Sequence, residues 1–311
     1  MSKLVFCGTP EFAVPTLNAL VAAGHKIELV VSQPDRPSGR GGEISVPAVK
    51  RRALELGLTV AQPEKIKENR EFRAQLEALK PEAIIVVAYG RIIPKWMLEL
   101  APLGNINLHA SLLPKYRGAA PIQWAIARGG SVTGVTTMRL NEGLDTGPVL
   151  LHREVEILSE DTAVTLSPRL ALVGADLIIE TLRGLETGAL QPRQQDNSGA
   201  TLAPILKKED GRMDFSRPAA ELLNRLRGFQ PWPGAFTTFR GKQLQVIAAA
   251  LNSEAGVLTP ATLTVRERRL LVGCGKGTAL ELLEVQPEGK RRMSVAEFIN
   301  GYKPKDGERL G

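Results

Sequence analysis

Short continuous apolar runs alternate with amphipathic stretches along residues 3–184. Residues 3–7 (KLVFC) form the first run and stop at Gly8-Thr9-Pro10. Phe12, Leu17, Leu20 and Val21 then recur at helical spacing, so strand, tight turn and helix follow in order. Residues 26–32 (KIELVVS) predict the next strand, and 48–57 and 68–80 predict helices. Residues 82–88 (EAIIVVA) make the nearly unbroken β-branched run of a strand covered on both faces of a parallel sheet. Further strands are expected at 104–108, 132–140 and 149–157, with helices over 120–128 and 162–184. Strands and helices in alternation imply right-handed crossovers and an open, mostly parallel, Rossmann-like α/β sheet.

The texture then changes. Residues 186–206 carry glycine, proline and glutamine without a sustained period, as a connection between domains does. A helix is expected over 218–229, bearing Leu222, Leu223 and Leu226. Short runs around Phe236 and over 244–250, 263–265, 270–272 and 280–285, punctuated by glycine and proline, predict a small OB-like β-barrel. A length of 311 residues exceeds what one core supports. The expected division is a catalytic domain over 1–188, a linker over 189–206 and a β-barrel domain over 207–311.

Composition narrows the class. Apolar residues at 43% and charged residues at 23% are ordinary for a globular chain, which excludes disordered and fibrous classes. Apolar runs such as 83–88 fall far short of the roughly 20 residues of a membrane helix. Met1-Ser2-Lys3 leads into a strand pattern with no secretory apolar region, so a cytoplasmic protein with no membrane partner is expected. Cys7 and Cys274 lie in apolar patterns of different domains and are read as buried, inert thiols. The net charge of +7 is uneven: residues 207–311 hold 18 Lys+Arg against 12 Asp+Glu, while the first 206 residues are nearly balanced. A basic surface favours a polyanionic partner through counterion release.

Gly8-Thr9-Pro10 lacks the further glycines of a dinucleotide-binding turn and is read as a tight strand-to-helix connection. Asn107 and His109, two apart near the end of an apolar strand, project to one side of the sheet, where open α/β folds place ligands. Histidine suits proton transfer or transition-state stabilisation near neutral pH. His25 and His152, the other two histidines, are read as structural. Residues 111–118 (SLLPKYRG) follow the pair and offer backbone groups and an apolar wall to a planar ligand. Gly143-Leu144-Asp145-Thr146-Gly147 sets a carboxylate in a glycine-flanked turn, where Asp145 serves either as proton acceptor or as the group orienting His109. No closely spaced His/Cys/carboxylate set has the spacing of a zinc site, and no metal is expected.

In order and spacing, residues 107–118 (NLHASLLPKYRG) and 144–147 (LDTG) resemble the folate-dependent formyltransferase family. Gly8-Thr9-Pro10, residues 33–37 (QPDRP), 87–90 (VAYG), 117–123 (RGAAPIQ), 208–211 (KEDG) and 229–234 (FQPWPG) extend the resemblance along the chain. They point to the branch of the family that formylates methionyl initiator tRNA. The resemblance implies 10-formyl-tetrahydrofolate as formyl donor and Asn107, His109 and Asp145 as the catalytic set. It implies a folate site formed by Val87, Ala88, Tyr89, Gly90, Ser111, Leu112, Leu113, Pro114 and Gly118. It further implies tRNA contacts from Arg36 and Arg40 in the long 33–46 loop, and from Lys207, Lys208, Arg268 and Lys290 among the basic residues of the second domain. The chain is expected to act as a monomer.

Two features depart from the family pattern. Gly42-Glu43 stands where relatives carry lysines, and Leu166-Ser167-Pro168 where they carry a histidine and an acidic residue; Pro168 is expected in a first helical turn. Two rivals remain at this stage: a formyltransferase acting on an amino-sugar nucleotide or another small amine, and a non-catalytic RNA-binding protein.

Overall fold

The computed structural model describes residues 2–38, 43–253, 256 and 258–311. They fall into two compact units. The first holds Met1–Pro121, Val132–Glu156 and Ser167–Pro204; the second holds Ile122–Ser131, Ile157–Leu166 and Ile205–Gly311.

The elements of the first half are, in order, β1 (Lys3–Gly8), α1 (Val14–Ala22), β2 (Lys26–Val31), β3 (Arg36–Ser38), β4 (Glu43–Ser45), α2 (Ala48–Glu55), β5 (Val60–Ala61), α3 (Arg70–Leu79), β6 (Ala83–Val87) and α4 (Lys95–Leu98). Then come β7 (Asn105–His109), α5 (Pro121–Ala127), β8 (Val132–Arg139), β9 (Val149–Glu156) and α6 (Ala163–Glu186). Seven strands form one sheet in the order β5-β2-β1-β6-β7-β8-β9. β8 pairs antiparallel with both β7 and β9, and the other pairings are parallel. The expected Rossmann-like sheet is present, and β3 and β4 form a small antiparallel pair within the long loop.

Burial follows the β-branched pattern. Every residue of β6 and β7 is buried, as strands covered on both faces must be. On one face Val5, Cys7, Leu29, Val31, Ile84 and Val86 pack with Phe72 and Leu76 of α3 and Met97 of α4. On the other face Gly174 of α6 meets the Leu108 side chain so closely that an added Cβ would lie 2.5 Å from it. Strand parity therefore puts Ile106 and Leu108 under α6, and Asn105, Asn107 and His109 on the opposite face.

Pro168 corrects an expectation. It lies inside α6, beyond the first turn. Its missing N–H leaves the carbonyl four residues back, that of Val164, without a helical donor; Val164 is 51% exposed, so water can take that place.

The second unit contains α7 (Ala219–Gly228), β10 (Ala235–Phe239), β11 (Lys242–Asn252), β12 (Leu263–Arg266), β13 (Arg269–Cys274), β14 (Thr278–Pro287), β15 (Met293–Ser294) and α8 (Val295–Tyr302). Its antiparallel sheet runs β10-β11-β14-β13-β12, with β15 on β14. Phe215, Leu222, Leu226, Leu244, Leu270, Leu280 and Phe298 lie in its core. The last residues approach both edges of the sheet: Leu310 bridges Phe239 of β10, and Arg309 bridges Thr262 beside β12. Helix α8 was not expected from periodicity, yet its start carries a capping box in which Ser294 accepts from the Glu297 amide and Glu297 accepts from the Ser294 amide.

Candidate active site

β7 sets the site by parity. Asn105 is anchored, its Nδ2 donating to the carbonyls of Met97 (2.8 Å) and Leu98 (3.2 Å) in α4. Two residues on, Asn107 is 8% exposed, and its carboxamide takes no hydrogen bond from the described residues. His109, 6% exposed, is held by the loop that follows it, with Nε2 lying 2.9 Å from the Tyr116 carbonyl. A carbonyl only accepts, so Nε2 carries a hydrogen and Nδ1 is the nitrogen left for chemistry.

Nδ1 faces Asp145, whose Oδ2 is 3.7 Å away. That carboxylate also accepts a hydrogen bond of 2.8 Å from the Gly118 amide. The route by which Asp145 arrives differs from a simple meeting at strand ends. In the antiparallel β7–β8 pair, Arg139 stands opposite Ile106, and the Leu140 amide donates to the Asn105 carbonyl. The β8–β9 connection thus begins beside the start of β7, about 13 Å from His109 at the rise of a strand. The turn must fold back along the sheet face to deliver Asp145. Asp145 itself has φ 50°, a left-handed conformation unusual for a residue with a Cβ.

Around this centre the structure places the residues expected to meet folate. Val87, Ala88, Tyr89 and Gly90 run off the end of β6, beside β7, with Ala88 at φ 46° and Gly90 at φ 76°. Their backbone is pinned: the Tyr89 carbonyl accepts from Thr9 Oγ1 and Gln33 Nε2, both at 3.1 Å. The Tyr89 side chain is 2% exposed in the sheet core, and burial pushes its phenol well above the usual range. Tyr89 is therefore buried as a whole, and the exposed residues of this segment are its neighbours Ala88 and Gly90. Ser111 is fully buried, with Oγ donating to the Lys115 carbonyl at 2.6 Å. Thr136 of β8 donates to the Ser111 carbonyl (2.6 Å) and accepts from the Leu113 amide (3.1 Å), which fixes the loop. Leu112 packs over Gly134 of β8; Leu113 and Pro114 are half-buried. Gly118, at φ 123°, lets the chain pass the Ala203 carbonyl, which an added Cβ would meet at 2.6 Å.

Three residues with structural work at the site escaped the sequence reading. Thr136 fixes the loop, Gln195 bonds the turn that carries Asp145, and Arg117 bonds Gln195 and Asn197. No periodicity marks such contacts. The only hint was that Arg117 sits inside a matched motif.

The cationic residues are scattered. Arg36 is exposed on β3 and lies 3.8 Å from Glu64. Arg40 falls outside the described residues. In the second unit Lys207 and Lys208 are exposed at the turn preceding α7, Arg268 at the β12–β13 turn and Lys290 at the β14–β15 turn. Arg269, Arg291 and Arg292 are engaged with Glu281, Glu297 and Glu284. Cys7 and Cys274 are buried free thiols, and burial raises both, Cys274 to about 11. Among the described residues no group of His, Cys, Asp and Glu is arranged to hold a metal, and no helix is long and apolar enough to cross a membrane.

Sheet, loop and the Asn–His–Asp cluster together make a candidate group-transfer site. Residues 2–182 match the family model described as Formyl transferase, and residues 205–303 that described as Formyl transferase, C-terminal domain. The methionyl-tRNA formyltransferase of Koribacter versatilis is 61% identical over 99% of this chain and 98% of its own. That of Acidobacterium capsulatum is 60% identical over 99% of each. The chain belongs to the formyl transferase family. Among solved structures, an N-formyltransferase from Helicobacter canadensis with folinic acid and dTDP-3-aminofucose matches with a TM-score of 0.67 at 17% identity, over 92% of this chain and 100% of that one. At that identity the likeness is one of fold.

Proposed function

We propose that this chain transfers the formyl group of 10-formyl-tetrahydrofolate to the free amino group of methionyl initiator tRNA, as a cytoplasmic, monomeric enzyme. The observation carrying this reading is the 61% identity, along nearly the whole of both chains, to a relative named methionyl-tRNA formyltransferase. The amino-sugar reading is less favoured, because its support is likeness of fold at 17% identity.

In this reading the amine nitrogen attacks the formyl carbon, an oxyanion forms on the formyl oxygen, and the bond from that carbon to N10 of the folate breaks. The unpartnered Asn107 carboxamide donates to the oxyanion, and His109, when protonated on both ring nitrogens, donates from Nδ1, since its other N–H is held by the Tyr116 carbonyl. Asp145 orients His109 and collects the proton released by the amine; the folate nitrogen regains a proton on leaving. The gap of 3.7 Å between Nδ1 and Oδ2 is longer than a direct hydrogen bond, which leaves both groups able to reach a reacting atom.

The pterin ring lies against the backbone of Val87, Ala88, Tyr89 and Gly90 and against Ser111, Leu112, Leu113, Pro114 and Gly118. The two φ-positive residues at the end of β6, Ala88 and Gly90, are exposed, which fits contact of this segment with a planar ring. Residues 1–188 act as the catalytic domain and 207–311 as a tRNA-binding domain. Arg36 and Arg40 approach the acceptor end, while Lys207, Lys208, Arg268 and Lys290 neutralise backbone phosphates. The test is formyl transfer from 10-formyl-tetrahydrofolate, assayed side by side with methionyl initiator tRNA and with an amino-sugar nucleotide. Turnover of the tRNA alone is expected; turnover of the sugar alone would overturn the assignment.

A further inference from the structure

Residues 189–204, read from sequence as a connection, are bonded into the first unit at the catalytic turn. Arg193 exchanges two backbone hydrogen bonds of 2.8 Å with Val149, and Arg117 and Ala203 are joined by a 2.7 Å bond from the Ala203 amide to the Arg117 carbonyl. Between these pairings stands Gln195. Its Nε2 donates to the carbonyl of Asp145 (2.8 Å) and to that of Gly147 (2.7 Å), gripping the turn on both sides of Thr146.

The direction of that amide is fixed from behind. Arg117, 7% exposed, donates to Gln195 Oε1 from Nε (3.1 Å) and Nη2 (2.7 Å), and from Nη2 to Asn197 Oδ1 (2.8 Å). An arginine has donors only, so it selects the oxygen end of the glutamine and turns the NH2 end toward the two carbonyls. The turn needs such a hold, because Asp145 sits at φ 50°, where a residue with a Cβ is held only by its surroundings.

We infer that Gln195 is a positioning residue for catalysis: oriented by Arg117, it holds Asp145 in its left-handed conformation and so aims Oδ2 at His109 Nδ1 and the Gly118 amide. The inference rests on the formyl-transfer reading for its kinetic consequence, though not for its geometry. By it, the segment joining the two matched domains takes part in the chemistry, through Asp145 and without touching substrate.

Gln195→Glu separates positioning from stability. The shape is kept and the contact to Arg117 becomes an ion pair, while the two carbonyls lose their donor and face an anion instead. The variant is expected to stay folded, the ion pair with Arg117 offsetting the repulsion at the two carbonyls, and to keep KM for both substrates within about twofold, with kcat falling on the order of 10- to 100-fold. Gln195→Met, which removes donor and acceptor without adding charge, is the second variant and is expected to lose kcat similarly. Exchange of the Gly118 amide, which donates to Asp145 Oδ2, is expected to accelerate in both. A folded variant with wild-type kcat and unchanged Gly118 exchange overturns the inference, and so does failure of both variants to fold, which would make the role purely structural. If the wild-type chain transfers no formyl group to methionyl initiator tRNA, the functional reading falls, while Gly118 exchange still decides the positioning.

Discussion

In the proposed reading one carboxamide bears most of the chemical weight. Asn107 sits on a fully buried strand with its carboxamide taking no hydrogen bond from the described residues, beside a histidine and a carboxylate that are both held by backbone. Removing one preorganised oxyanion donor typically costs on the order of 100- to 1000-fold in turnover. Asn107→Ala is expected to fall in that range with little change in melting temperature, and steady-state kinetics beside a thermal melt checks both. Gly118 makes the complementary case, in which the backbone matters more than the side chain. At φ 123° and with the Ala203 carbonyl where a Cβ would stand, Gly118→Ala is expected to destabilise by on the order of 1–3 kcal/mol, seen as a lower urea midpoint. An unchanged midpoint would mean that residues 201–203 yield easily.

Among the elements, α8 shows what local chemistry decides. Its first turn is closed by the reciprocal Ser294–Glu297 pair, and its apolar face supplies Phe298 to the core, where the ring packs edge-on against Phe239 at 5.3 Å between centroids. Ser294→Ala is expected to cost about 1 kcal/mol in chemical denaturation. Backbone and side-chain hydrogen bonds from Ser294 hold the Glu297 carboxyl below its ordinary range. A carboxyl lowered by folding stabilises above its unfolded pKa, and that contribution fades as pH falls through the folded value. Wild-type stability should therefore drop between neutral pH and the acid side of the carboxylate range, and Glu297→Gln should flatten that part of the profile. Pro168 carries the opposite lesson: α6 continues through a residue that removes a hydrogen bond, because the rest of a 24-residue helix, packed through Gly174 on Leu108, outweighs one lost bond at an exposed turn.

For the whole molecule, charge is the property to test. The excess of positive charge lies in residues 207–311, and Lys208, Arg268 and Lys290 stand exposed on three separate turns of the second unit. If these residues meet phosphates, tRNA affinity should fall linearly with salt on logarithmic axes, and Lys208→Ala should reduce the slope by about 0.7 to 1 while leaving kcat near wild type. Binding titrations at several salt concentrations measure the slope, and a flat response would exclude the second unit from phosphate contact.

Sequence alone determined the longer strands, most of the helices and the change of texture near residue 186, because burial on one or both faces writes a period of its own into apolar positions. It also offered Asn107, His109 and Asp145, since two of them share a strand and the third stands in a glycine-flanked turn. It did not reveal α8, whose signal is a cap and not a period, nor the direction from which Asp145 arrives, because strand order and antiparallel register are long-range properties. Tertiary structure alone decided that Tyr89 turns its ring into the core, that His109 spends Nε2 on the Tyr116 carbonyl, and that Gln195, bonded by Arg117, grips the turn carrying Asp145. The hydrogen bonds among them join residues up to 78 positions apart, and a hydrogen bond between distant residues leaves no pattern along the chain until folding has brought its two ends together.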